Sequence, residues 1–197
     1  MKHKQSLLMI VALCLIVVPS PGPKIHGFSS AAQTQFTEEQ KQAFALFDKR
    51  VKEYLQQRER VRKQLPKLAK EAKPEEIQAY QVNFANALRA ARVNAKPGDL
   101  FVPLVAEHIR NLIKTEYSGT ERAQLRKTIL EAETKGVPLR VNYPYPDSKE
   151  FSQIPPPLLL KLPQLPKEVK YRFVNYHLLL VDSDNDLIID YMTKALP

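Results

Sequence analysis

KYRFVNYHLLLVDSDNDLIIDYM, residues 170–192, contains three short runs rich in aromatic and branched apolar residues. Such runs favour β-strands, since these side chains pack well on a pleated surface. Between the runs lie a two-residue turn, Asn175–Tyr176, and a four-residue turn, Ser183–Asp186, which are lengths that join adjacent antiparallel strands. The segment therefore predicts a three-stranded meander with strands at Lys170–Val174, His177–Asp182 and Leu187–Met192.

The two turns also predict which side chains share a face, because successive residues of a strand point to opposite sides. One predicted face is wholly apolar: Tyr171, Phe173, Leu178, Leu180, Leu187, Ile189 and Tyr191. The other is mixed: Lys170, Arg172, Val174, His177, Leu179, Val181, Ile188, Asp190 and Met192. We expect helices to pack on the apolar face and the proline-rich residues upstream to cover part of the mixed face.

A long helix is predicted at the start of the segment that follows residue 33. Thr37 and Gln40 have the spacing of a capping box, and the helix ends near Pro66. Apolar residues recur every three or four positions and form one face, on which Arg58 occupies a single position. The apolar members are Phe44, Phe47, Val51, Tyr54, Val61 and Leu65.

Three further helices are predicted before residue 137. The second follows a proline-bounded link and carries Ile77 to Ala91, and the third starts at Pro103, since proline is tolerated in the first turn. The fourth begins at Ser118 or Thr120 and ends near Gly136.

Residues 137–197 change character, with a strand predicted at Val137–Val141. The proline-rich residues that follow lack amide donors and predict an ordered loop with one helical turn at 157–161. The predicted fold class is therefore α+β: an N-terminal four-helix segment, within 33–136, packed on a small C-terminal antiparallel β-meander, within 137–197.

Residues 1–32 have the order of a secretory signal peptide. A basic start with Lys2 and Lys4 precedes the apolar run Leu7–Val18, and Ser30 and Ala32 suit cleavage before Gln33. The run is too short for a membrane span, which needs about 20 residues. Cys14 follows Leu13, where a lipoprotein signal requires a small residue. We expect an exported bacterial protein, periplasmic or secreted, with 33–197 as a single mature domain.

The mature segment contains no cysteine, which excludes disulfides and thiolate chemistry. Its only glycines, Gly98, Gly119 and Gly136, lie between predicted helices, so no glycine-rich phosphate loop is present. We expect no cofactor and no metal site.

The excess of basic residues lies in residues 37–96, mainly between Lys49 and Lys73. This block predicts binding to anionic phospholipid headgroups, lipopolysaccharide or another envelope polymer. The alternative is an ordinary solvated helix face. Nucleic acid is not expected, because no row of aromatic residues accompanies the block. The candidate binding residues are Arg58, Arg60, Arg62, Lys63, Lys67 and Lys70.

Three acidic residues, Asp182, Asp184 and Asp186, alternate like the first ligands of a calcium loop. That loop requires glycine at its sixth position and glutamate at its twelfth, where this chain has Leu187 and Thr193. A hairpin turn, which favours the same residue types, is the preferred interpretation.

Two histidines remain in the mature segment. His177 and Asp190 lie diagonally across the predicted hairpin and form an exposed pair on its mixed face. In such a pair the carboxylate would orient the imidazole, which could then act as a general base. No nucleophile or oxyanion hole accompanies them, so a surface pair is the preferred interpretation. His108 lies among Leu104, Ile109 and Leu112 and is expected at the core boundary with its ring half packed.

A series of short motifs resembles a group of exported bacterial proteins of uncharacterised activity. The motifs are Leu65-Pro66-Lys67-Leu68 with Lys70-Glu71, Ala90-Ala91-Arg92, Ala95 to Phe101, Leu139 to Asn142, Ile154-Pro155-Pro156, Leu162 to Pro166, and Tyr171 to Asp190. Val102 departs from the pattern, where a capping Thr is expected. The terminal hairpin alone is similar to that of RcnB-type periplasmic proteins, and this similarity does not imply metal handling.

The sequence predicts a non-enzymatic envelope module that binds another macromolecule or has a structural role. One alternative is a salt-sensitive binder of anionic surfaces through residues 49–73. A hydrolase using His177 and Asp190 is the alternative from another class.

Overall fold

The computed structural model describes residues 36–132, 134–137, 139–146, 149 and 154–196. The predicted signal peptide, residues 1–32, lies outside the described residues. The order of elements is α1 Glu38–Gln64, α2 Pro74–Ala91, α3 Pro103–Glu116, α4 Gly119–Leu130, α5 Pro156–Leu159, β1 Val169–Val174, β2 His177–Asp182 and β3 Ile188–Met192. Helices followed by a three-stranded antiparallel sheet confirm the predicted α+β class.

The helix boundaries follow from local chemistry. Thr37 forms the predicted capping box: its hydroxyl accepts from the Gln40 amide at 3.2 Å, and the Gln40 side chain accepts from the Thr37 amide at 2.8 Å. Pro103 occupies the first turn of α3, and Ser118 is the N-cap of α4. The single turn α5 confirms a helical turn in the proline-rich stretch. None of the described helices is long and apolar enough to cross a membrane.

The sheet has the order β1-β2-β3, and both pairs are antiparallel. Val174 pairs with His177 around the predicted two-residue turn. Between β2 and β3 the register follows the prediction as far as Val181 and Ile188, and then Leu180 pairs with Asp190. Ile189 is thus skipped, as in a β-bulge, which moves every later residue of β3 to the opposite face.

This shift changes the predicted faces at three positions. Tyr171, Phe173, Leu178, Leu180 and Ile189 pack with helix residues in the main core, as predicted. Met192 and Asp190 were predicted on the mixed face. Met192 instead packs in the main core, and Asp190 points to the same side as its partner Leu180. Tyr191 packs on the other side.

Among the described residues, the second sheet face is covered by Val137, Leu139 and Tyr145, the last of which belongs to the proline-rich stretch that follows Val141. Val137 and Tyr145 pack on Val174, Leu179, Val181 and Ile188. In the proline-rich stretch, Leu158 and Leu162 instead belong to the main core on the helix side.

The prediction of a strand at Val137–Val141 is wrong. Its described residues are coil or turn, and the contact with the sheet comes later in the chain. Asn142 and Tyr143 exchange hydrogen bonds of 2.8 Å with Ile188 of β3. Asn142 has a φ of 64°, which an extended strand does not contain, so this segment reaches the sheet through a turn.

We predict that Leu180→Ala lowers the free energy of unfolding by roughly 2–5 kcal/mol, because it leaves a cavity at the centre of the sheet. Leu180 is fully buried, whereas Leu160 is 78% exposed and supplies a matched control. Leu160→Ala is expected to change stability by no more than about 0.5 kcal/mol. Urea unfolding measures both, and equal losses would contradict the assignment of the core.

Candidate functional site

A buried ion pair joins α1 to the β2–β3 hairpin. The Arg58 Nε atom donates to Asp182 Oδ2 at 2.7 Å, and the Tyr54 hydroxyl donates to the same oxygen at 2.6 Å. A second guanidinium nitrogen of Arg58 pairs with Asp184. Arg58 is 3% exposed and Asp182 is fully buried, so each charge depends on the other for solvation.

The pKa values of this group follow from burial and from the carboxylates. Burial raises the pKa of Tyr54 well above its ordinary value, and the charge of Asp182 and its hydrogen bond raise it further. Burial alone would lower the pKa of Arg58, but the hydrogen bonds and charges of Asp182 and Asp184 raise it overall. Tyr54 therefore remains a donor, and Arg58 remains charged.

Arg58 consequently does not belong to the predicted anionic-binding surface. The sequence pattern already contained the signal, because Arg58 occupies a position on the apolar face of α1, and a charge placed there requires a buried partner. The partner could not be identified from the sequence, since Asp182 and Asp184 lie far away in the chain.

Arg92 is a second buried arginine at this junction. Its guanidinium carbon lies 5.0 Å from the ring centre of Tyr54. Arg92 also donates to the Ile189 carbonyl and to the side chain of Asn142, both at 2.9 Å. Burial lowers the pKa of Arg92. These contacts tie the end of α2 to β3 and to the turn at residue 142.

Asp190 is fully buried and receives backbone hydrogen bonds, which corrects its predicted place on an exposed face. Its carboxylate accepts from the amides of Gly98, Leu100, Phe101 and Tyr191 at 2.7–2.8 Å. Burial raises the pKa of Asp190, and these four bonds oppose the rise. The carboxylate thus fastens the α2–α3 loop to β3.

The predicted pair of His177 and Asp190 is not formed. Leu178 and Leu180 share a face with Asp190, and His177 alternates with them, so it points to the opposite side of the sheet. His177 Nδ1 instead accepts from the Lys194 amide at 3.4 Å, and burial lowers the pKa of the imidazole. The prediction failed because the skip at Ile189 reverses the face of Asp190.

The acidic residues at the end of β2 and directly after it form the predicted turn. The Asp184 amide donates to Asp182 Oδ1 at 3.0 Å, and Asp186 adopts a φ of 50°. Two of the three carboxylates are paired with Arg58. Within the described part of the chain, no group of three or more His, Cys, Asp or Glu residues could hold a metal ion.

His108 is more deeply packed than predicted, at 9% exposure. Its ring lies edge-on to Phe44, with ring centres 4.5 Å apart, and also contacts Phe36. Its Nε2 atom has no hydrogen-bond partner among the described residues, and burial lowers the pKa of the imidazole.

The remaining candidate cations form a cluster that we call the basic surface. It comprises Arg60, Arg62, Lys63, Lys67 and Lys70, all exposed at the end of α1 and in the following link. Glu59 pairs with both Arg62, at 2.8 Å, and Lys63, at 3.9 Å. No carboxylate in the described residues pairs with Arg60, Lys67 or Lys70.

A second cationic site was missed by sequence reasoning. Arg89 of α2 and Arg140 lie over the ring of Tyr143, with guanidinium carbons 5.0 and 4.2 Å from the ring centre. They line an open cavity of about 550 Å³, which we call the arginine–tyrosine pocket. Arg89 lies about 50 residues before Arg140 and Tyr143 in the chain, and no local sequence pattern links it to them. The other lining residues are Asn86, Ala90, Val93, Ala95, Pro97, Leu139, Val141, Asn142 and Tyr191.

No protein-family model matches the chain, and no curated protein or solved structure matches it either. The resemblance to exported bacterial proteins therefore stays a prediction. The roles assigned to residues of this chain depend on its own geometry.

We predict that Arg58→Met lowers the free energy of unfolding by roughly 3–5 kcal/mol, because it leaves the Asp182 carboxylate buried without its partner. Arg62→Met on the same helix removes only an exposed pair and is expected to cost about 1 kcal/mol or less. Thermal or urea unfolding measures both changes.

The double variant Arg58→Met/Asp182→Asn tests whether the unpaired Asp182 carboxylate causes the loss of stability in Arg58→Met. If the loss arises from an unpaired charge, removing both charges costs less than the sum of the two single changes. Strictly additive losses would show that Arg58 and Asp182 contribute independently.

Proposed function

We propose that this protein is an exported, non-enzymatic module that binds anionic lipid headgroups through its basic surface. The proposal combines two predictions from the sequence, the signal at residues 1–32 and the basic block, with the placement of the exposed cations.

The observation that carries the proposal is the exposure of five cations on one helix end and the adjoining link. Glu59 is the only carboxylate paired with any of them within the described residues, and it serves Arg62 and Lys63 together. Arg60, Lys67 and Lys70 thus keep their charge available to a partner. Attraction of this kind is long-ranged and requires no shaped cavity.

The anchoring of α1 supports the proposal. Arg58 fixes this part of the helix to the hairpin through Asp182, and the Gln57 side chain donates to the Ala91 carbonyl at 2.7 Å. Arg60 and Arg62 follow directly and are therefore presented from a rigid base. Less freedom is then lost when a flat anionic surface engages the cations.

We expect the mature protein to co-sediment with vesicles that contain phosphatidylglycerol and not with pure phosphatidylcholine, and to be released by high salt. Neutralising Arg60, Lys67 and Lys70 to Gln is expected to weaken binding about 100-fold, at about 1 kcal/mol per cation near the surface.

The control variant replaces Lys114, Lys167 and Lys170, three exposed lysines outside α1 and the link that follows it, by Gln. It removes the same charge and is expected to bind nearly as well as the unmodified protein. Binding that ignores salt, or equal losses in the two triple variants, would exclude the basic surface as the binding site.

Export forms a separate part of the proposal, supported by the order of the basic start, the apolar run and the small residues before Gln33. We expect the chain expressed in a bacterial host to be recovered outside the cytoplasm without its first thirty or so residues. Leu13→Lys/Ile16→Lys should interrupt the apolar run and retain the uncut chain. Intact Met1 on the unmodified protein, measured by mass spectrometry of a cytosolic fraction, would refute export.

A further inference from the structure

We infer that the arginine–tyrosine pocket binds the phosphate group of a small ligand. This site is separate from the basic surface, and the inference does not depend on the proposed function. The pocket lies between the last turns of α2, the turn at residues 139–143 and the side chain of Tyr191 from β3. Its volume of about 550 Å³ is within the range of small-molecule sites, roughly 300–1,000 Å³.

The pocket carries two positive charges, those of Arg89 and Arg140. None of the described residues that line it is Asp or Glu. Within the described residues, neither Arg89 nor Arg140 forms an ion pair, in contrast to Arg58 with Asp182 and Arg62 with Glu59. An anion entering this pocket would therefore meet two guanidinium groups and no carboxylate from the part of the chain that the structure describes.

Tyr143 positions both guanidinium groups. A guanidinium that lies over an aromatic ring uses its planar face, which leaves the N–H groups at its edge free to donate. These donors form a fixed fork that matches the oxygens of a phosphate or a carboxylate. Contact with the same ring thus holds the guanidinium groups of Arg89 and Arg140 near Tyr143 before any ligand binds.

The wall that carries Tyr143 is fixed to the sheet. The Tyr143 carbonyl accepts from the Ile188 amide, and the Asn142 amide donates to the Ile188 carbonyl, both at 2.8 Å. Arg92 and Asn142 also bond reciprocally, at 2.9 and 2.5 Å, which stabilises Asn142 in its left-handed conformation. The pocket is therefore largely pre-organised, which lowers the entropy lost on binding.

Two features favour a phosphate ester as the ligand. A phosphate ester carries about −1.5 to −2 charge at pH 7 on three oxygens of one group, so two adjacent guanidinium groups can share it, whereas a dicarboxylate divides the same charge between two separated groups. Asn86, which also lines the cavity, adds a neutral polar side chain. Val93, which is 77% exposed, lies with Pro97 and Leu139 on the same cavity and provides apolar contacts for the body of the ligand.

The test is calorimetric titration of the mature protein with inorganic phosphate, glycerol 3-phosphate and succinate. We expect both phosphates to bind, and succinate to bind more weakly than either. Tighter binding of a short-chain phosphatidic acid than of inorganic phosphate would identify a lipid headgroup as the source of the phosphate, and equal binding would favour a free phosphate. Absence of binding by every phosphate probe, or succinate binding as tightly as glycerol 3-phosphate, overturns the inference.

The variant Arg89→Ala/Arg140→Ala is expected to weaken phosphate binding by at least about tenfold, since hydrogen bonds to charged groups are worth this much or more. Arg126→Ala is the matched control, because Arg126 also lies over a tyrosine, 5.3 Å from the ring centre of Tyr176, but outside the pocket. It should bind phosphate unchanged. Unweakened binding by the double variant excludes the pocket.

Two further variants keep the result interpretable. Arg89→Lys/Arg140→Lys retains both charges without the planar fork and is expected to lose affinity while preserving the fold, which thermal unfolding checks. Full retention by this variant would contradict fork recognition. The variant that neutralises Arg60, Lys67 and Lys70 should bind phosphate normally, so failure of the basic surface and failure of the pocket are distinguishable.

Discussion

Asp182 carries a negative charge at the end of β2, in a place that water does not reach. Its oxygen Oδ2 accepts hydrogen bonds from both Arg58 and Tyr54, so two side chains of α1 converge on one atom of the hairpin. Such a pair contributes little net free energy to folding, because the cost of removing both charges from water opposes their attraction. The pair instead fixes a relative position, since any other placement of α1 leaves a buried charge without a partner.

A second buried carboxylate repeats this logic with backbone donors. Asp190 gathers the amides of Gly98, Leu100 and Phe101, and so holds the loop that joins α2 to α3 against β3. Apolar packing is tolerant of small displacements, whereas short bonds to a buried carboxylate are not. The two aspartates thus specify how the helical layer meets the sheet, one from the end of β2 and the other from the middle of β3.

The features that the sequence predicts well are those encoded by neighbours in the chain. The capping box at Thr37 and the two-residue turn after Val174 each depend on residues a few positions apart, and both are correct. The skip at Ile189 is not encoded locally, because it lets Asp190 reach amides about 90 residues away. This single skipped residue exchanges the faces of Asp190 and Tyr191. Asp190 therefore accepts hydrogen bonds from the α2–α3 loop and does not form the predicted exposed pair with His177. The site formed by Arg89 and Arg140 could not be predicted for the same reason, because only folding brings Arg89 to Arg140 and Tyr143.

Arg58 and Arg92 therefore differ from Arg89 and Arg140 in the partners that surround each guanidinium group. Arg58 has carboxylate partners, and Arg92 has a carbonyl, an amide and the ring of Tyr54, so both charges are satisfied within the fold. Arg89 and Arg140 have an aromatic ring, which orients a guanidinium without neutralising it. Because the described residues give Arg89 and Arg140 only this ring, the charge of both remains available to the phosphate that we propose as ligand. The proposed phosphate site therefore depends on the partners that the described residues give each arginine, and not on the total positive charge of the chain.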